Sequence, residues 1–362
     1  MPDNFANRDL NTAYRARKDE FYTQLTDIEK EMKHYREKFE EKTVLCNCDD
    51  PYESNFFKYF AMNFNSLKLK KLIATSFASS EVSYTQLSFF DDEPVEKKPA
   101  YFAVLTEIKD ENNDGAIDLK DVEITLKKKG VVKKLKGDGD FRSEECLKLL
   151  EESDIVCTNP PFSLFREFVS VLTKYNKKFI IIGNVNAISY KEIFSLIKKN
   201  ELWLGASIHS GDREFRVPDD YPLNAASSRI DENGTKFIRV KGVRWFTNLD
   251  YEQRHEELII FKKYNDEDYP HYDNYDAIEV SKTADIPCDF SGVMGVPITF
   301  LDKYNPDQFE ILGMESSAGY NKDIVGIPLL VPGDARPAIN GKTTYARIFI
   351  TNKELNNNEN QT

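Results

Sequence analysis

The stretch EECLKLLEESDIVCTNPPFSLFREF, residues 144–168, sets the reading of the whole chain. It reads as a helix over 143–152, a strand signal at Ile155-Val156-Cys157, a rigid exit at Asn159-Pro160-Pro161-Phe162 and a second helix over 163–174. Two consecutive prolines remove two backbone donors and fix two φ angles, so the chain must leave the sheet here in one predetermined direction.

On the C-terminal side the alternation continues with the strand KFIIIGNV, a helix over 188–199, and the runs ELWLG and VRWFTNL. On the N-terminal side, apolar residues at Phe21, Leu25, Ile28, Met32, Tyr35 and Phe39 predict one amphipathic helix ending near Lys42. The strand TVLCNC follows and breaks at Asp49-Asp50-Pro51; then come a helix in SNFFKYFAMNF and a strand in LKKLIATSF. Strands and helices in alternation imply an α/β fold with a mostly parallel, doubly wound sheet. Residues 78–136 read as an insertion in which both AYFAVLTEI and VEITL are strand-like. The predicted organisation is a domain over 1–261, a smaller α+β or β-rich domain over 262–352, and a polar, disordered tail over 353–362.

The 362 residues are 40% hydrophobic and 30% charged, the composition of a soluble globular protein. The sequence carries no apolar run long enough for a membrane span and no signal core at its start, so a cytoplasmic protein is expected, with no membrane partner. Five scattered cysteines make no disulfide framework, and Cys46-x-Cys48 reads as alternate positions of a buried strand. The four histidines show no ligand spacing; no metal is expected. Asp110, Asn112, Asp114, Gly115, Ile117, Asp118 and Asp121 have calcium-loop spacing, but Asp stands at the twelfth position and the flanks read as strands, which favours an acidic hairpin turn. A net charge of −12 does not exclude a polyanionic partner, because a nucleic-acid site needs only a local basic surface.

In an open parallel sheet, ligands bind beyond the carboxyl ends of the strands. Asp49-Asp50-Pro51, Gly137-Asp138-Gly139-Asp140-Phe141 and Asn159-Pro160-Pro161-Phe162 all fall there. The last can act on an aromatic amine, whose lone pair is delocalised into its ring. The Asn159 side-chain oxygen and the Pro160 carbonyl can accept both amine hydrogens and draw the nitrogen toward tetrahedral geometry; Pro161 adds stiffness without a competing donor, and Phe162 offers a stacking face. The plainer readings are a stiff strand exit at 159–162, a polar turn at 49–51, Asp140 as a helix cap, and Asp19 or Thr23 capping the first helix.

Together DEFYTQ, TVLCNCDDPYESNFFKYF, GDGDFRSEE, DIVCTNPPFSLF, GNVNAISYKE and NYDAI…GVMGVPITFL resemble the EcoRI-type adenine-specific DNA methyltransferases. The resemblance implies a Rossmann-like methyltransferase sheet over 1–261 and target recognition in the smaller domain at 262–352. It implies S-adenosylmethionine as cofactor, with Tyr22 and Thr23 bordering its methionine end, Asp49, Asp50 and Pro51 forming the loop beside its amino acid part, and Asp140 and Phe141 meeting its adenine. Asn159, Pro160, Pro161 and Phe162 would then hold a target adenine rotated out of double-stranded DNA. The pattern departs from such nucleotide loops in having no glycine before Gly115, and KKLIATSF ends without a ribose-binding acid, Glu81 being near but unassigned. Arg229, Lys236, Arg239, Lys241 and Arg244 become candidate phosphate clamps, as does the basic run KKKGVVKKLK. The implied protein is a monomeric modification enzyme, with a cognate restriction endonuclease as its companion. RNA adenine, a protein glutamine, and a catalytically silent DNA-binding relative are the alternatives.

Overall fold

The structure is a computed structural model that describes residues 23–78, 99–209, 211–217, 228–315, 326–330 and 336–355. Phe21, Tyr22, Glu81 and the tail from 356 onward lie outside them. The described residues fall into two compact units, one within Met1–Val185 and Ser210–Leu249, the other within Asn186–His209 and Asp250–Thr362. Residues 186–209 and 250–261, expected with the first domain, thus belong to the second unit.

In the first unit the opening helix is shorter than its periodicity suggested. Helix α1 covers Leu25–Met32 and tightens into a 3-10 helix over Lys33–Phe39, which keeps Tyr35 and Phe39 on the buried side. Strand β1 (Thr43–Cys46) follows, then α2 (Asn55–Met62), capped by Ser54, and β2 (Lys71–Thr75). Next come β3 (Tyr101–Leu105), α3 (Leu119–Leu126) and β4 (Val132–Lys134). Helix α4 (Glu144–Glu152), β5 (Ile155–Thr158), α5 (Phe165–Lys174) and β6 (Lys178–Asn184) follow in order, as the opening stretch foretold.

Three short strands, β7 (Asp212–Arg216), β8 (Ser228–Ile230) and β9 (Lys236–Lys241), form a separate antiparallel sheet. Strand β10 (Val243–Thr247) then returns to the main sheet, whose order within this unit is β4-β3-β2-β1-β5-β6-β10. Its four central strands are parallel; β3 pairs antiparallel with β2 and β10 with β6, and β4, antiparallel to β3, runs in the direction of the central strands. Every residue of β1 and β5 is buried, as continuous apolar runs covered on both faces require. The chain runs from β1 outward to β2 and reaches β5 on the other side, so the β1/β5 boundary is the switch point where ligands bind in such sheets.

Two expectations are corrected here. VEITL is helical, because Asp118 and Asp121 make a reciprocal capping box that starts α3 and turns Val122 and Leu126 inward, which outweighs the β-branched residues. The acidic stretch before it is therefore a loop entering a helix and not a hairpin turn. The buried Asp121 carboxylate accepts from the backbone N–H groups of Glu111, Asn112 and Asp118. The region read as an insertion also adds β3 and β4 to the main sheet.

The second unit holds helix α6 (Lys191–Lys198) and a four-stranded sheet in the order β11 (Ile278–Glu279), β12 (Met294–Val296), β14 (Arg347–Asn352), β13 (Phe309–Glu315). Only the β11/β12 pair is parallel. A buried ion pair between Arg347 and Glu279, joined by the Tyr272 hydroxyl, anchors it. No helix among the described residues is long and apolar enough to cross a membrane.

Candidate active site

The carboxyl ends of β2, β1 and β5 are laced together by side chains. The Thr75 hydroxyl donates to the Asn47 side-chain oxygen at 2.8 Å and accepts from the Cys48 N–H at 3.2 Å. On the other side, the Thr158 hydroxyl meets both the Asn47 carbonyl and the Asp49 carboxylate, the latter at 2.5 Å. Cys48 takes φ +65, so β1 ends at Cys46 and the second cysteine sits in a left-handed turn, not on the strand. The turn for which nucleotide loops ordinarily use glycine is made here by a small thiol side chain. Cys46 and Cys157 are fully buried, and burial, reinforced by the Asp49 charge, pushes both thiols far above their ordinary range.

Both acidic residues of the loop are buried and held on both oxygens. Asp49 accepts from the Ser54 hydroxyl at 2.6 Å as well as meeting Thr158. Asp50 accepts from the Tyr52 N–H at 2.9 Å and from the Tyr101 hydroxyl at 2.5 Å. Ser54 meanwhile caps α2 by accepting from the N–H groups of Phe56 and Phe57, so one hydroxyl orients the loop and starts the helix. Pro51 is buried at the turn between them.

Thr23 lies beside this loop: Asn55 donates to its carbonyl at 2.7 Å. Its hydroxyl is buried without a hydrogen-bond partner among the described residues and does not cap α1, whose N-cap is Gln24. Tyr22 lies outside the described residues.

The Gly137–Phe141 segment docks against the end of β2. Ala78 N–H donates to the Asp138 carbonyl at 2.7 Å, and Gly139, at φ +82, packs so tightly that a Cβ would run into the Ser76 carbonyl oxygen. Asp140 is not the helix cap; Ser143 caps α4 by accepting from the Cys146 N–H. The Asp140 carboxylate is instead gripped by Arg142, through Nε at 2.9 Å and Nη2 at 2.6 Å, and the Arg142 side-chain bonds hold its carboxyl below the usual carboxylate range. Phe141 is only 2% exposed and packs edge-on against Phe168 of α5, so its ring faces the core.

Asn159 and Phe162, just past the end of β5, are half-buried, and Pro160 is buried. Pro161, extended at ψ 122, leads into a single 3-10 turn over Phe162–Leu164, closed by Leu164 N–H to the Pro161 carbonyl, before α5 begins. The segment therefore leaves the sheet in one stiff step directly after Thr158.

The candidate phosphate clamps separate. Arg239 and Lys241 alternate with buried Ile238 and Val240 on β9, so both point outward on one face. Arg229 shares that face but is committed to Glu214 at 2.7 and 2.6 Å and lies 4.3 Å from the Phe237 ring centre. Lys236 falls on the opposite parity, and Arg244 is 6% exposed within β10. Two arginines that charge patterning did not single out tie this sheet down: Arg216 reaches Glu53 at 3.2 Å and Arg213 reaches Asp27 at 3.7 Å.

A family described as "Adenine-specific methyltransferase EcoRI" matches residues 9–353. The chain belongs to this family. It is 46% identical over 357 residues to the Type II methyltransferase M.EcoRI of Escherichia coli, a match covering 98% of this chain and 99% of that protein. It is 37% identical to the Type II methyltransferase M.MgeORF184P of Mycoplasma genitalium and 36% identical to M.MpnI of Mycoplasma pneumoniae, covering 96% and 95% of this chain and 99% and 98% of theirs. No solved structure matches the chain. Membership in the EcoRI-type methyltransferases bears out the resemblance read from the motifs, and it selects adenine among the acceptors that an Asn-Pro-Pro-Phe exit leaves open.

Proposed function

We propose that this EcoRI-type enzyme is a site-specific DNA adenine-N6 methyltransferase that draws its methyl group from S-adenosylmethionine and serves as the modification half of a restriction-modification system. The observation that carries the reading is the join at the switch point: Asp49 of the cofactor-side loop meets Thr158, the residue directly before Asn159. The donor site and the acceptor site of a group transfer then share one rigid wall.

The residues suit the cofactor's polar methionine end. The buried Thr23 hydroxyl has a hydrogen-bonding proton to give, and the loop at 49–51 brings two carboxylates toward a cationic amine. When bound, S-adenosylmethionine supplies a methyl group on a positively charged sulfur. The chain's own residues prepare the acceptor. The target adenine leaves the duplex stack; the Asn159 side-chain oxygen and the Pro160 carbonyl accept from its amino hydrogens, Phe162 stacks on its face, and Pro161 keeps the acceptors in place. Phe141 works beneath the cofactor's adenine as support for the loop, and Asp140 at its edge as the acceptor. Arg239 and Lys241 contact DNA phosphates, and residues 262–352 read the target sequence. The enzyme works as a cytoplasmic monomer.

The test is to express the protein in a host lacking adenine methylation and sequence its DNA by a single-molecule method. A site-specific N6-methyladenine signal is expected with the wild-type chain and its loss with Asn159→Ala; a signal that persists in the variant overturns the role given to Asn159.

A further inference from the structure

We infer that Arg142 is a positioning residue for the cofactor's purine: it presents Oδ2 of Asp140 as the acceptor for an exocyclic amine, and so makes this site prefer an amino group over an oxo group. The inference rests on the proposed role of Asp140.

A carboxylate oxygen accepts two hydrogen bonds comfortably. Oδ1 of Asp140 already takes two, from the Arg142 N–H at 2.8 Å and Nε at 2.9 Å. Oδ2 takes one, from Nη2 at 2.6 Å, which leaves it one lone pair on a side chain 25% exposed. The guanidinium cannot swing away freely, because Nη1 donates to Glu167 of α5 at 2.6 Å and the group lies 5.2 Å from the Phe141 ring centre. The loop beneath is fixed by Gly139 against Ser76. Bidentate pairing thus sets the carboxylate plane, selects the presented oxygen and keeps it ionised, an acceptor that an amine satisfies and a carbonyl opposes. Little of this concerns folding: the Arg142 and Glu167 side chains are 46% and 56% exposed, and ion pairs so placed add little to stability.

Calorimetric titration with S-adenosylhomocysteine and with its 6-oxo analogue S-inosylhomocysteine tests the assignment. The wild-type protein should bind the amino compound more tightly. Arg142→Gln should weaken that binding about tenfold or more, the scale of a hydrogen bond to a charged group, while leaving the weak binding of the oxo compound and the melting temperature nearly unchanged. Arg142→Lys, which restores one charged donor, should recover part of the preference. If Arg142→Gln weakens both ligands equally, or neither, the positioning role is overturned. If the wild-type protein does not distinguish the ligands, the role of Asp140 fails first and this inference with it; Asn159→Ala methylation data are untouched by that outcome.

Discussion

Thr158 and Asp49, 109 positions apart, meet at 2.5 Å through a hydroxyl and a buried carboxylate. Because Asn159 follows Thr158 directly, the contact fixes the start of the Asn-Pro-Pro-Phe exit to the loop after β1. The Ser54 hydroxyl on the other oxygen of Asp49 extends the tie to α2.

Thr158→Val keeps the shape and removes the hydroxyl, so one oxygen of Asp49 loses a donor in a buried place. A loss of about 1–3 kcal/mol is expected there. Single-turnover methylation should slow by about tenfold or more, while Thr158→Ser stays within a few-fold of wild type. Equal rates for the valine and serine variants would show that the hydroxyl does not position the exit.

Cys48 occupies a left-handed conformation that costs an L-residue about 1–2 kcal/mol. Cys48→Gly should raise the urea midpoint or leave it alone, whereas Cys48→Val, β-branched at positive φ, should lower it. A valine variant as resistant to urea as the glycine variant would contradict the turn described here.

On the exposed face of β9, neutralising Arg239 and Lys241 together should reduce the salt slope of DNA binding by about 2, roughly one unit per phosphate contact. Replacing Arg244 should instead lower thermal stability, since its side chain is buried in β10 and donates to the Val243 carbonyl. Fluorescence anisotropy across a salt series separates these effects.

His255 sits between Asp307 at 2.6 Å and Asp250 at 2.9 Å, and the Asp307 hydrogen bond first, with that of Asp250, raises its pKa above the ordinary value. A group whose folded pKa is raised contributes stability below its unfolded pKa, near 6.5, and loses it as pH rises through the folded value. Melting temperatures should therefore fall across that window, and His255→Gln should flatten the fall. A variant with the same pH dependence as wild type would remove His255 as the cause.

Much of the first unit was legible because its signals are local. Helix α4, β5, the proline exit and α5 follow from hydrophobic period and from the fixed φ of proline, and the matches to Asp49-Asp50-Pro51, Gly137–Phe141 and Asn159–Phe162 name a family by short motifs. VEITL was misread for the same local reason: three β-branched residues in a row of five outweighed the paired aspartates, Asp118 and Asp121, that cap a helix three residues apart.

The amino-acid order alone thus determined the alternating α/β pattern, the family and the motifs that the proposal places around two substrates. Tertiary structure decided which partners those motif residues keep: Thr158 for Asp49, Tyr101 for Asp50, Arg142 for Asp140, and burial for Arg244 while Arg239 and Lys241 face outward. The reason is one of range. Backbone preferences act over a few residues and are written in sequence, whereas hydrogen bonds and burial join side chains brought together by strand order and register, which a charge count or a spacing does not encode.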